Sequence, residues 1–165
     1  MQTFLPFPSF RQSAQALDSE RLWKQLVEAG QIFTALHDPT YGWQQHPAKR
    51  MWHGYGGALY RYAAQVYYEC VERRINAHEE FAKLTARVVD CGTLKQHDFK
   101  QNPFWLGDPA FHRSHQSSLL RKAYCFYVNK FPGVPTNLPY VWPDPMLKYT
   151  NLNKLTIKLF PEKSK

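Results

Sequence analysis

DSERLWKQLVEAGQIFTALHDP, residues 18–39, is the stretch from which the fold can be read. Asp18 suits an N-cap, Leu22, Leu26, Ala29, Phe33 and Leu36 recur at spacings of three and four, and Asp38-Pro39 ends the run. An amphipathic helix is predicted here. Its other face carries Arg21, Lys24, Gln25, Glu28 and Gln31. One carboxylate among cations has two readings. It is either part of a solvated face, with a Lys24–Glu28 pair worth about 0.3 kcal/mol, or a positioned Glu28 that handles protons beside phosphate-binding side chains.

On the N-terminal side of this helix, Met1 to Phe10 carry two prolines and three phenylalanines, too interrupted for a helix and too apolar to float free. On its C-terminal side a Tyr41-Gly42-Trp43 loop leads to a second helical stretch from about Pro47 to Arg74, with Met51, Leu59, Tyr62 and Val66 as core positions. Gly54, Gly56 and Gly57 weaken its first half, each costing up to about 1 kcal/mol, so a helix there needs a close-packing reason. Ala77 to Val89 reads as a third helix closed by Cys91-Gly92, and Ser114 to Val128 as a last one burying Leu119, Leu120, Tyr124 and Tyr127. Beyond Phe131, five prolines between Pro132 and Pro145 rule out long helices. The tail should wrap the surface with Tyr140 and Trp142 tucked in, and Lys158 to Lys165 should be frayed.

The expected class is all-α: a compact bundle of three to four helices in a single domain, 1–165. It divides into an arm (1–16), a helical core (17–131) and an extended, proline-rich tail (132–165).

Within 165 residues, 21 Lys plus Arg stand against 13 Asp plus Glu, a formal charge of +8. That balance favours phosphate-bearing partners, although a basic surface that only keeps the chain in solution explains it equally well. Cys70, Cys91 and Cys125 are odd in number and outside any C-x-x-C pair, which argues against disulfides and structural zinc and fits a reducing cytoplasm. No run approaches the roughly 18 apolar residues of a membrane span. Nucleotide-loop, hydrolase-elbow and zincin motifs are all missing, so no cofactor is implied. No heptad seam demands a second copy or another protein, and a monomer is expected.

Positive and polar residues gather in two further places. His46-Pro47 with Lys49, Arg50 and His53 opens the second helix. His112, Arg113, Ser114, His115, Arg121 and Lys122 surround the start of the last, where a helix N-terminus favours phosphate. His112 and His115 are three apart, but no Asp, Glu or Cys accompanies them and no metal is expected. Among the many aromatic residues, Trp43, Trp52 or Trp105 are candidates for exposed base-stacking surfaces.

The segment from Leu17 to Glu28 resembles the phage pyrimidine-dimer DNA glycosylase family, often called phage endonuclease V. Pro47 to Tyr60 with Glu69 to Asn76 looks like the family's long middle helix, and Ser117 to Arg121 is similar to its late helix. The likeness is closer to a bacterial branch of uncharacterised relatives, carried by Met1-Gln2-Thr3-Phe4-Leu5-Pro6, Tyr41-Gly42-Trp43, Trp105-Leu106-Gly107-Asp108-Pro109 and Leu138-Pro139-Tyr140-Val141-Trp142-Pro143. The resemblance implies Glu28 as the catalytic acid/base residue and Arg121 as a phosphate ligand. Arg21 stands where the family has a DNA-contacting histidine, and Gln31 where it has an arginine.

One departure bears on the chemistry. The phage enzymes attack the sugar with the α-amine of a small residue exposed when the initiator Met is removed, forming a Schiff base. An α-amine suits this role because its ordinary pKa of about 7.7–8.0 leaves a usable neutral fraction at pH 7. Here the second residue is the bulky Gln2, so Met1 should be retained. Three nucleophiles then compete. Water activated by Glu28 ranks first, Met1 second if the arm folds back onto Glu28, and a desolvated Lys24 third.

The expected activity is excision of a damaged or modified base from double-stranded DNA by Glu28, with or without AP lyase action through Met1. Arg21, Lys24, Gln31, His46, Arg50, His112, Arg113, His115 and Arg121 are the expected DNA contacts. The rival reading is a non-catalytic basic DNA-binding protein on the same scaffold.

Overall fold

The computed structural model describes residues 1–92 and 94–145 and the strand Lys158–Leu159. Seven helical segments make up the body: α1 (Phe10–Ala16), α2 (Ser19–His37), α3 (Pro47–Trp52), α4 (Gly56–Glu72), α5 (His78–Cys91), α6 (Pro109–Lys122) and α7 (Tyr124–Tyr127). A two-residue antiparallel pair joins β1 (Val141–Trp142) to β2 (Lys158–Leu159), with Val141 opposite Leu159. Helices α2, α4 and α5 pack on one another and α6 packs on α7 and β1, so the fold is all-α as the periodicity predicts. No helix among the described residues is long and apolar enough to cross a membrane.

Helix α2 is the central element and packs on α3, α4 and α5. Asp18 caps it, its side chain accepting from the Arg21 amide at 3.0 Å, and Leu22, Leu26, Ala29 and Phe33 are buried as the stripe requires. Gln25, placed by periodicity on the polar face, is instead 1% exposed. A buried amide must find partners, and those of Gln25 come from the N-terminal arm and α4.

The arm departs from its expected form. A short helix follows Pro8 where an extended strand is expected to continue: Ser9 caps α1 by accepting from the Gln12 amide at 3.3 Å. Phe10 and Ala14 on α1 then reach the core against α4.

The expected helix from Pro47 to Arg74 is two. His46 caps α3 and Pro47 occupies its first turn, but the backbone turns left-handed at Gly54 (φ 78°) before α4 begins at Gly56. Gly57 has the close-packing reason that a glycine in a helix needs. A Cβ there would stand 2.5 Å from the Asp98 carbonyl carbon and oxygen. That neighbour is backbone and cannot swing aside. Gly57→Ala is therefore expected to destabilise the fold by about 2 kcal/mol, a fall in Tm of about 4–8 °C measurable by calorimetry.

The last long helix starts at Pro109, five residues before its expected start at Ser114. Asp108 caps it through the Ala110 and Phe111 amides. It stops at Lys122, so Tyr124 lies beyond its end and is 56% exposed rather than buried. Leu119, Leu120 and Tyr127 are buried as expected. Tyr140 and Trp142 are tucked in at 5% and 8% exposure. Lys158 and Leu159, expected to be frayed, pair with β1, while 160–165 lie outside the described residues.

Candidate active site

The arm, the first half of α2 and the tail converge on a cavity of about 720 Å³. Met1, Gln2 and Phe4 form one wall, and Arg21, Lys24, Gln25 and Glu28 project from α2. His46 and Pro47 line it at α3, beside Trp142, and Lys122 and Tyr140 complete the lining. The volume lies within the range of ligand pockets.

Within this lining the Glu28 carboxylate meets the terminal amine of the chain and the backbone amide that follows it. Glu28 Oε2 is 3.4 Å from the Met1 α-amine and 2.9 Å from the Gln2 amide nitrogen, which donates to it. No Lys24–Glu28 ion pair occurs among the described residues. His46, whose Nδ1 accepts from the Ala48 amide, is held below its ordinary pKa first by burial and then by the nearby terminal ammonium, against the pull of Glu28. It is therefore a neutral imidazole in the cavity wall at pH 7.

The amine can sit there because side chains from three helices take up the backbone of the arm. The Phe4 amide donates to Gln25 Oε1 at 2.7 Å, and the Tyr62 hydroxyl donates into the same junction, 2.7 Å from Gln25 Oε1 and 3.0 Å from the Phe4 carbonyl. Trp52 Nε1 donates to Thr3 Oγ1 at 2.9 Å. Leu5 is held at both ends by histidines on α6: its amide donates to His115 Nδ1 at 3.2 Å, and its carbonyl accepts from His112 Nδ1 at 2.7 Å. These partners fix opposite tautomers. His115 carries its proton on Nε2, and His112 on Nδ1, its Nε2 accepting from the Gly107 amide at 2.9 Å. A buried extended segment without strand partners satisfies its polar groups in this way.

A family model described as pyrimidine dimer DNA glycosylase matches residues 1–83, half of the chain. The chain belongs to the pyrimidine dimer DNA glycosylase family. No curated protein and no solved structure matches the chain. The matched half of this glycosylase-family chain holds the arm, α2, Glu28 and His46, whereas Lys122, Tyr140 and Trp142 belong to the other half.

The expected DNA contacts separate into three groups and Arg121. Arg21, Lys24 and His46 line the cavity with Glu28 and Met1. Arg21 is tied down there: it pairs with Asp18 at 2.7 Å and donates to the Lys122 carbonyl at 3.3 Å, joining the start of α2 to the end of α6. Gln31, Arg50 and Arg113 lie outside the cavity lining; Arg50 donates to Gln45 Oε1 at 2.7 Å, and Arg113 is exposed.

His112 and His115 form the third group, and for them direct DNA contact is corrected. They are 4% and 0% exposed and hold the arm from below. The phosphate role that the resemblance implies for Arg121 meets a competing structural one. Its guanidinium donates to the carbonyls of Thr136 and Leu138 at 2.8 and 2.9 Å and lies over the Tyr140 ring, fastening the tail. Trp52 and Trp105, at 0% and 1% exposure, are core residues, which leaves Trp43 as the exposed one of the three expected stacking residues.

Proposed function

We propose that this protein is a bifunctional DNA glycosylase, with the Met1 α-amine as nucleophile and Glu28 as the proton-handling group. The observation that carries the proposal is the 3.4 Å separation of Met1 N from Glu28 Oε2. A covalent route needs an amine and a proton acceptor within hydrogen-bond reach of one another, and apo distances of this kind tighten when substrate binds. This geometry favours Met1 over water, the first-ranked nucleophile on sequence grounds. Lys24, exposed on the rim, has no such partner in Glu28.

In the proposed reaction Glu28 takes a proton from the amine as its nitrogen bonds to C1′ of the damaged nucleotide. The glycosidic bond breaks and its electron pair leaves with the base. The nitrogen lone pair then opens the C1′–O4′ bond, Glu28 returns its proton to O4′ and becomes a carboxylate again, and a protonated Schiff base between the α-nitrogen and C1′ is left. Removal of a C2′ proton by the same carboxylate expels the 3′ phosphate and cleaves the strand. Extrusion of the nucleotide into the cavity costs least where the base is already damaged or mispaired. Lys24 and Lys122 stand at the cavity with positive charge for the flanking phosphates.

The test is incubation with duplexes carrying a pyrimidine dimer or an abasic site, with borohydride present. A covalent protein–DNA adduct, released base and a broken strand are expected. Adding Gly-Ser ahead of Met1 should remove the adduct while DNA affinity stays within about threefold. Base release without an adduct would make water the nucleophile. Binding with neither product would overturn the enzyme reading in favour of a DNA-binding protein.

A further inference from the structure

Trp43 combines three properties that no other residue of the described chain shares. Its backbone is left-handed at φ 72°, its indole is 56% exposed, and it stands next to the cavity. A non-glycine residue keeps such a conformation only where its surroundings over-determine it, and such residues concentrate at functional sites. Here Gln44 does the fastening. Its Nε2 lies 3.2, 2.9 and 3.0 Å from the carbonyls of Ala35, Asp38 and Tyr41, and Lys49 Nζ donates to its Oε1 at 3.0 Å. The Trp43 carbonyl accepts from the His46 amide at 3.0 Å. This hydrogen-bonded, strained loop presents a large apolar ring to solvent, so burial of that ring does not offset the strain. Trp23, 39% exposed, lacks this signature because it sits on the regular backbone of α2.

The indole also begins a row of rings. Trp43 meets His46 edge-on at 5.5 Å, His46 meets Trp142 at 6.1 Å, and Trp142 meets Tyr140 at 5.3 Å. His46, Trp142 and Tyr140 belong to the cavity wall and Trp43 does not. Trp43 therefore adjoins the cavity through His46 without lining it, and its exposed indole is free to meet a duplex from which one nucleotide has swung in. Lys49 and Arg50 follow it closely on α3, a local positive charge suited to the backbone of that duplex.

We propose that Trp43 is a duplex-opening wedge whose indole enters the base stack beside the nucleotide extruded into the cavity. The inference rests on the glycosylase reading for its purpose, though not for its test. Apolar and aromatic side chains enter base steps in this way, and the stacking they provide is indifferent to sequence. A pre-set backbone suits a wedge because nothing has to be ordered when it enters the stack.

The experiment uses W43A, W43G and W43F in the full chain, with two readouts. The first is fluorescence of 2-aminopurine placed beside an abasic site in a duplex, which rises when the base is unstacked. Wild type and W43F should raise it on binding; W43A and W43G should bind without raising it. The second is base release from a lesion in continuous duplex against the same lesion in a preformed bubble. For W43A and W43G, release should fall by about tenfold in the duplex and by less than about twofold in the bubble. W43G also relieves the left-handed strain, so its Tm should not fall, which separates loss of the wedge from loss of the fold.

An undiminished 2-aminopurine signal in W43A, or equal losses on both substrates, would overturn the proposal. Wild-type protein that releases no base from any lesion would sink the glycosylase reading instead. The fluorescence signal would then decide the role of Trp43 on its own.

Discussion

Glu28→Gln is expected to lower base release and strand cleavage by about 10²–10⁴-fold, the usual contribution of a positioned proton-transfer group. The substitution is close to isosteric. A glutamine Oε1 still accepts from the Gln2 amide, which the carboxylate now takes at 2.9 Å, so the arm keeps its seat and the cavity its shape. What is lost is the negative charge 3.4 Å from the Met1 amine and the capacity to accept a proton from it. Removing one negative charge from a cavity lined by Arg21, Lys24 and Lys122 should leave DNA affinity unchanged or slightly raised.

Glu28→Asp separates charge from position. It keeps the carboxylate but shortens the side chain by one methylene, so the contacts to Met1 and Gln2 both stretch beyond bonding distance, and activity should fall nearly as far. Single-turnover kinetics on a dimer-containing duplex, read beside a binding isotherm for each variant, tests both. Wild-type rates in Glu28→Gln would remove the carboxylate from the mechanism.

Helix α2 was legible because every local signal agrees: a capping Asp18, a stripe at three and four, and a stop at Asp38-Pro39. The start of α6 carried an equally good signal, Asp108 followed by Pro109 at the first helical position. Starting the helix at Ser114 instead hid the face on which Phe111, His115, Ser118 and Leu119 lie together, all buried. On that face the two histidines are interior groups rather than members of a basic surface cluster. The short helix α1 was masked by the prolines just before it, although its cap, Ser9, was in plain view.

Glu28 stood out in the sequence as one carboxylate among cations, but its partner did not. No periodicity reports that residues 1–6 fold back as an extended segment, because its hydrogen bonds reach residues 21 to 110 positions away. Tyr140 and Trp142 were likewise recognisable as residues to be buried, while the cavity they wall exists only once the tail crosses α6. Charge density along the chain therefore does not distinguish α2, whose polar residues line the cavity, from α6, whose histidines are interior. It measures which residues are near in sequence, and burial depends on which face they occupy.

A second large effect follows from the histidine that holds Leu5. Burial, with a smaller contribution from His112, pushes the pKa of His115 down from 6.5 to about 3. The tautomer gives the structural reason: Nδ1 is occupied as an acceptor by the Leu5 amide, so a proton added there would face an N–H donor, and Nε2 is buried with no hydrogen-bond partner. The unfolded chain takes up this proton near pH 6.5 and the folded chain only near pH 3. Between those values the unfolded state binds more protons, so stability rises with pH and is lost on acidification. At pH 5 the loss relative to pH 7 should be about 2 kcal/mol from this group alone. His112 and His46, both lowered by burial, act in the same direction, whereas Asp18, where the Tyr127 and Arg21 hydrogen bonds outweigh burial and lower the pKa, gives way only at more acid pH. Urea unfolding at pH 7 and pH 5 measures the difference. His115→Gln, whose side-chain oxygen can accept from the Leu5 amide without titrating, should be less stable at pH 7 yet lose clearly less on acidification. An unchanged pH 5 to pH 7 difference in that variant would show that the arm is not held through His115. If the difference shrinks as expected, the residue that seats the arm, and with it the Met1 amine, is also the one that makes the fold sensitive to mild acid.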